Sequence, residues 1–244
     1  MKIVATVEAR MTSSRLPGKV LLPALQQPML HHLVARLRAA PSIDEIVLAT
    51  TVNAADESLV AFGLSEDIRV FRGSEADVMG RVIGAAALCA ADLIVEITGD
   101  CPIIDPEIVE QVIRMYLKND ADYVGNSHVR SYPDGMDTQV FRLATLQRSA
   151  ALTADPLDRE HVSLHMRRNP QLFRHINVVA PPALHWPELG LTLDEEADYQ
   201  LLRRIIETLA PRDPTFGCRA AIELLRANPQ WVDINRGVTR KGDS

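Results

Sequence analysis

Residues 2–19 read Lys2-Ile3-Val4-Ala5-Thr6-Val7-Glu8-Ala9-Arg10-Met11-Thr12-Ser13-Ser14-Arg15-Leu16-Pro17-Gly18-Lys19. The first six residues, rich in β-branched and apolar types, have the pattern of a buried strand. The next twelve form a polar loop with three cations (Arg10, Arg15, Lys19), three hydroxyls and one glycine. In open α/β sheets, ligands bind beyond the C-terminal ends of the strands, where this loop would lie. Arginine can clamp phosphate oxygens through two bonds, lysine adds a point charge, and backbone N–H groups complete a cradle for anions. Neither GxxxxGK[ST] nor GxGxxG is present. Spacing alone leaves a phosphate cradle and a solvated basic loop equally open.

Outward from this stretch, short apolar runs alternate with amphipathic ones. Residues 29–40 place Leu30, Leu33, Val34 and Leu37 at helical spacing. Strands are expected at Glu45–Thr51, 68–71 and Leu93–Thr98, with helices at 55–62, 75–90 and 105–118. The last helix has Asp105 as N-cap and Pro106 at its first position. The order β-α-β-α-β-α-β-α predicts an α/β fold with a doubly wound, mainly parallel sheet. Beyond residue 122 the pattern loosens. Strands are expected at 123–128, 138–141, 176–180 and 191–193, and helices at 143–154, 159–168, 195–209 and 220–227. A polar tail follows at 236–244. We expect a single domain over 1–244, with 126–190 as an insertion forming a lid or a subunit contact.

Composition narrows the function classes. The 244 residues include 26 Lys+Arg and 32 Asp+Glu, a formal net charge of −6, with 47% hydrophobic and 24% charged residues. That balance fits a globular protein and argues against a general nucleic-acid binder. No apolar run approaches the roughly 20 residues that a bilayer span requires. Three widely spaced cysteines exclude a disulfide framework and any CxxC metal site. The segment MKIVATVEAR meets Glu8 and Arg10 before it could become a signal-peptide core, so a reduced, cytoplasmic protein is expected.

Five further blocks carry candidate chemistry. Asp100, in Gly99-Asp100-Cys101-Pro102, closes a buried strand and is placed to hold Mg²⁺ together with phosphate oxygens. Asp105 is read as a cap only. In Phe71-Arg72-Gly73-Ser74-Glu75-Ala76-Asp77, Ser74 and Asp77 have the spacing of a helix cap. Asp194, in Leu193-Asp194-Glu195-Glu196, is either a helix N-cap or a second metal ligand. Asp137 precedes a strand in the turn-rich Tyr132–Phe141 block. The Asp158-Arg159-Glu160-His161-Val162 block offers His161 for proton transfer, although a lone helical histidine is more often structural.

The loop Ala9-Arg10-x-x-Ser13-x-Arg15-x-x-x-Lys19 resembles the P-A-R-x-x-S-x-R-x-x-x-K signature of the cytidylyltransferases that activate sugar acids. These are the CMP-ketodeoxyoctonate and CMP-acylneuraminate synthetases, and the spelling R-L-P-G-K is closest to the spore-coat polysaccharide type. The chain departs from the pattern at Glu8 (often Pro), at Gln139 (often Glu) and at Glu195-Glu196 (usually Thr-Pro). The resemblance spans residues 2 to about 202 and implies a Rossmann-like nucleotidyltransferase fold. It implies CTP and a small anionic acceptor as substrates, Mg²⁺ on Asp100 and Asp194, and a homodimer joined through 126–190. Ala9, Arg10, Ser13, Arg15, Lys19, Arg72, Gly73, Ser74 and Asp77 would bind the nucleotide. Arg15, Lys19 and Asp100 would act on the reacting phosphates. Asp137, Arg159, Glu160 and His161 would lie near the acceptor. Two rivals remain: a sugar-phosphate nucleotidylyltransferase using another NTP, and a non-catalytic nucleotide-binding protein. A glycosyltransferase reading finds its D-x-D only at Asp120-Ala121-Asp122, before a strand and so at the wrong end.

Overall fold

The computed structural model describes residues 1–240. Residues 241–244, the end of the expected polar tail, lie outside the described residues. The elements run β1 (Ile3–Glu8), β2 (Pro23–Ala24), β3 (Gln27–Pro28), α1 (Met29–Arg38), β4 (Glu45–Thr51), α2 (Glu57–Ser65), β5 (Arg69–Gly73) and α3 (Val78–Leu88). They continue with β6 (Leu93–Thr98), α4 (Pro106–Lys118), β7 (Tyr123–Gly125), β8 (Gln139–Arg142), α5 (Leu143–Leu152), α6 (Pro156–Glu160) and α7 (Leu164–Arg168). The last are β9 (His175–Asn177), α8 (Glu196–Leu209), α9 (Cys218–Ala227) and α10 (Pro229–Val232).

Seven strands form one sheet in the order β5-β4-β1-β6-β8-β7-β9. β5, β4, β1 and β6 are parallel; β8 runs antiparallel to both β6 and β7. The chain fills one side of β1 first, with β4 and β5, and then crosses to β6 on the other side. The β1–β6 boundary is therefore the topological switch point, where the loops of adjacent parallel strands diverge and leave a crevice.

Both sheet faces are buried, which explains the unbroken apolar runs of the inner strands. On one face Ala5, Val7, Leu48 and Val95 pack with Leu30, Leu33 and Leu37 of α1 and Val109, Val112 and Ile113 of α4. On the other face Val4, Val47 and Ile94 meet Met79, Val82, Ala85 and Ala86 of α3 and Leu146 of α5. A third core lies beyond the strand ends. There Leu201, Leu202, Ile205 and Ile206 of α8 pack on Ala221, Ile222 and Leu225 of α9 and on Leu191 and Leu193. Each of the fully buried leucines and isoleucines among them contributes about 1.5–3 kcal/mol, so the shelf carrying residues 191–194 is firmly seated.

The structure bears out the α/β, mainly parallel sheet and differs from the expected elements in places. Residues 191–193 form no strand; the neighbouring contact is one bridge between Asp134 and Gly190. The expected 159–168 helix is split into α6 and α7, because Val162 between them takes a φ of 44°. A β-branched residue in that left-handed region cannot continue a helix. Part of 126–190 belongs to the central sheet, since β8 and β9 lie in it. No helix among the described residues is long and apolar enough to cross a membrane.

Candidate active site

A cleft of about 830 Å³ opens at the switch point. Its walls include Ala9, Arg10, Ser13, Arg15 and Lys19 from the loop after β1, Asp100 from the end of β6, and Asp194 from the shelf before α8. Asp137, Glu160 and His161 line it from the β8–α6 side.

The loop after β1 is held closed by its own backbone and by the Asp56 carboxylate. Gly18 N–H donates to Met11 O (3.0 Å), Lys19 N–H to Leu16 O (3.2 Å), and Met11 N–H to Asp56 Oδ1 (2.8 Å). Gly18 sits at φ 72°, a conformation that a side chain would strain. A short 3₁₀ turn, Lys19–Leu21, then turns Lys19 inward.

Lys19 is the centre of the site. Its Nζ lies 3.1 Å from Asp100 Oδ2 and 2.9 Å from Asp194 Oδ1. Arg15 approaches the same Asp194 oxygen at 2.7 Å. The two carboxylates are 94 positions apart in sequence, and a bond from Leu193 N–H to Asp100 O (2.8 Å) ties their segments together. Burial is the largest influence on Asp100 and pushes its carboxyl up, but the Lys19 ammonium and hydrogen bonds from Thr98 and Lys19 outweigh it and hold it below the ordinary value. Burial likewise depresses Lys19, yet Asp100 and Asp194 together hold it above its ordinary value. Lys19 and Asp100 thus hold each other charged.

No group of three or more His, Cys, Asp or Glu among the described residues could hold a metal ion. Two carboxylates sharing one cation position nevertheless suit Mg²⁺, which usually takes one or two protein carboxylates and completes its shell with water and substrate phosphates. In the structure the Lys19 ammonium lies between the two carboxylates.

The cleft floor holds an acidic pair missed at the level of sequence. Glu8 on β1 and Glu96 on β6 both line the cleft and are diagonal neighbours on one sheet face, since Glu96 pairs with Thr6 and Glu8 with Thr98. Burial, then the Glu96 carboxylate, push Glu8 well above its usual range, against the pull of Arg81 and of Thr6. Cys101 also lines the cleft, and burial, then Asp100, raise its thiol well above the ordinary value, which disfavours the thiolate. Val162 reaches the wall beside His161 through its unusual backbone.

Five of the expected site residues are not part of the cleft wall. Arg72 donates to Thr51 O (2.9 Å) and Asn53 O (3.0 Å) and pairs with Glu57. Gly73 lies against Phe71 and Arg81. Ser74 Oγ accepts from Asp77 N–H (3.2 Å). Asp77 caps α3 by accepting from Gly80 N–H (2.8 Å), and it pairs with Arg159 at 2.5 Å. Other wall residues escaped the sequence reading: Arg130, Asp134, Arg167 and Arg240 all line the cleft. Asp134 lay within the quoted Tyr132–Phe141 block. Arg240 sits in a stretch with no apolar period or motif, so no sequence signal marked it.

A family model described as cytidylyltransferase matches residues 4–229. The spore coat polysaccharide biosynthesis protein SpsF of Bacillus subtilis is 32% identical over 234 residues, covering 93% of this chain and 95% of that protein. A 3-deoxy-manno-octulosonate cytidylyltransferase of Geobacter metallireducens is 28% identical over 172 residues, 70% of this chain and 62% of the relative. Among solved structures, a cytidylyltransferase from Leptospira borgpetersenii serovar Hardjo-bovis superposes with a TM-score of 0.90 at 28% identity, covering 99% of this chain and 100% of that one. With its sheet, switch-point cleft and loop signature accounted for, the chain belongs to the cytidylyltransferase family.

Proposed function

We propose that the protein moves CMP from CTP to a sugar acid or similar hydroxylated anionic acceptor, with release of pyrophosphate, in the synthesis of a surface polysaccharide or glycoconjugate precursor. The observation that carries this reading is the Lys19 ammonium held between Asp100 and Asp194, with Arg15 on the same carboxylate, at the mouth of the switch point. Arg15 and Lys19 neutralise the triphosphate, and Arg10 and Ser13 line its approach. Asp100 and Asp194 are the residues that would hold Mg²⁺, which when bound screens the phosphate charge. The acceptor oxygen attacks the α-phosphorus, the bond to the bridging oxygen breaks, and pyrophosphate leaves with that electron pair. The acceptor's proton passes to His161 or to solvent. Positioning and charge neutralisation are the work required, and no covalent nucleophile is needed. Asp137, Glu160 and His161 form the opposite wall and are assigned to the acceptor.

The acceptor class is supported by the Geobacter relative, whose name specifies 3-deoxy-manno-octulosonate, and the pathway by the Bacillus relative. The same reading makes the chain a cytoplasmic homodimer joined through 126–190, where Val129, Leu152, Leu172 and Val179 expose large apolar side chains. Pyrophosphate release from CTP and Mg²⁺ over a panel of acceptors tests the reaction. Tight CTP binding without turnover on any acceptor supports the nucleotide-binding alternative instead, and preference for another NTP supports the sugar-phosphate enzyme.

A further inference from the structure

We propose that Arg240, delivered by the segment after α10, is a positioning residue for Asp194, acting through the buried carboxylate of Asp198. The inference rests on the reading of Asp194 as a metal ligand. Asp198 is fully buried at the first turn of α8 and bonded on both oxygens. Its Oδ2 accepts from the backbone N–H groups of Asp194 (3.1 Å) and Glu195 (2.9 Å), which sets where the Asp194 side chain starts. Its Oδ1 accepts from Asn235 Nδ2 (2.8 Å) and from Arg240 Nη2 (2.7 Å). A buried carboxylate that loses a charged partner is costly, so Asp198 holds the 194–195 backbone firmly only while Arg240 is in place.

Arg240 also faces Asp194 directly, at 3.7 Å from Oδ2, and lies 3.6 Å from Asp134 Oδ2. Its seat is shaped for it. A Cβ on Gly190 would fall 1.9 Å from Arg240 Nη2, so glycine at 190 leaves the space that the guanidinium fills. Asn235 donates to Gly190 O (2.9 Å) from the same segment. The strap is joined to the nucleotide loop as well, because Arg15 donates to Thr239 O (3.2 Å). Residues 235–240 thus connect the cation loop, the shelf and the carboxylate that the shelf carries.

The test is Mn²⁺ binding, followed by electron paramagnetic resonance on the full chain with CTP and no acceptor. Wild type is compared with Arg240→Ala, Arg240→Lys, Gly190→Ala and, as reference, Asp194→Asn. Loss of an outer partner of a metal ligand weakens affinity about 10–100-fold. Arg240→Ala and Gly190→Ala are therefore expected to weaken Mn²⁺ binding by at least about tenfold, and Arg240→Lys to restore most of it. Gly190→Ala keeps the arginine but takes its seat, so it serves if Arg240→Ala does not fold. A lowered melting temperature with unchanged Mn²⁺ affinity overturns the inference and leaves Arg240 structural. An equal loss of CTP affinity without Mn²⁺ also overturns it, by making Arg240 a nucleotide ligand. If Asp194→Asn binds Mn²⁺ like wild type, the metal reading itself fails and the inference with it. If Asp194→Asn binds weakly while Arg240→Ala does not, only the inference fails.

Discussion

Two loops of this molecule look alike in sequence and differ in use. The loop after β1, and the end of β5 with the turn that follows it, each lie at the C-terminal end of a parallel strand, and each carries arginine, glycine and serine. After β1, Arg15 and Lys19 face Asp194, and Lys19 also Asp100, while Arg10 pairs with Glu75. At the end of β5, Arg72 is taken up by Thr51 O, Asn53 O and Glu57, while Asp77 caps α3 and holds Arg159. Residue types do not separate the two; sheet position does. β1 borders the switch point, and β5 is the outer edge strand next to β4.

The largest contrast is expected from Asp100→Asn. Turnover should fall by about 10²–10³, by analogy with the loss of an oxyanion donor, with the melting temperature nearly unchanged. Full activity in a steady-state pyrophosphate assay would remove the β1–β6 boundary as the reaction centre. Next comes the direct comparison of the two arginines. Arg15→Ala should raise the KM for CTP about tenfold, as expected for a lost contact of 1.4 kcal/mol, while Arg72→Ala leaves it within error and lowers the melting temperature. The reverse result would exchange the roles of the two loops. Asp77→Ala should destabilise the fold by about 1–2 kcal/mol through the lost cap, seen as a lower urea midpoint with an unchanged KM. The smallest effect concerns Glu8. Its carboxyl is raised above the ordinary 4.5, so its contribution to stability is fully present below that value and declines as pH rises through the native value. Glu8→Gln should flatten that decline in a melting-temperature series, and an unchanged pH profile would show that Glu8 ionises without penalty.

The inner sheet was legible because its strands are buried on both faces and read as apolar runs. The loop after β1 was legible because its cations follow directly on such a run. The two halves of the charge cluster were found separately, as Asp100 at a strand end and Asp194 before a helix. Their meeting depends on the third core and the Leu193–Asp100 backbone bond, which no local pattern encodes. The fate of Arg72 and Asp77 was hidden for the same reason, since their partners come from β4, α2 and α6. The α6–α7 break was missed because Val162 is an ordinary helix-compatible residue in an unusual backbone state. Arg240 was missed because it is positioned by Gly190 and Asp198, both distant in the chain.

The self-closed loop after β1 has a kinetic and entropic consequence. Bonds from Gly18 to Met11, from Lys19 to Leu16 and from Met11 to Asp56 fix its backbone without help from any ligand. A triphosphate therefore meets charges already arrayed and need not freeze a floppy segment, which commonly costs about 0.5–1.5 kcal/mol per immobilised side chain. Capture should then proceed as a single fast phase set by diffusion and ionic strength, with no slow refolding of the loop trailing behind it.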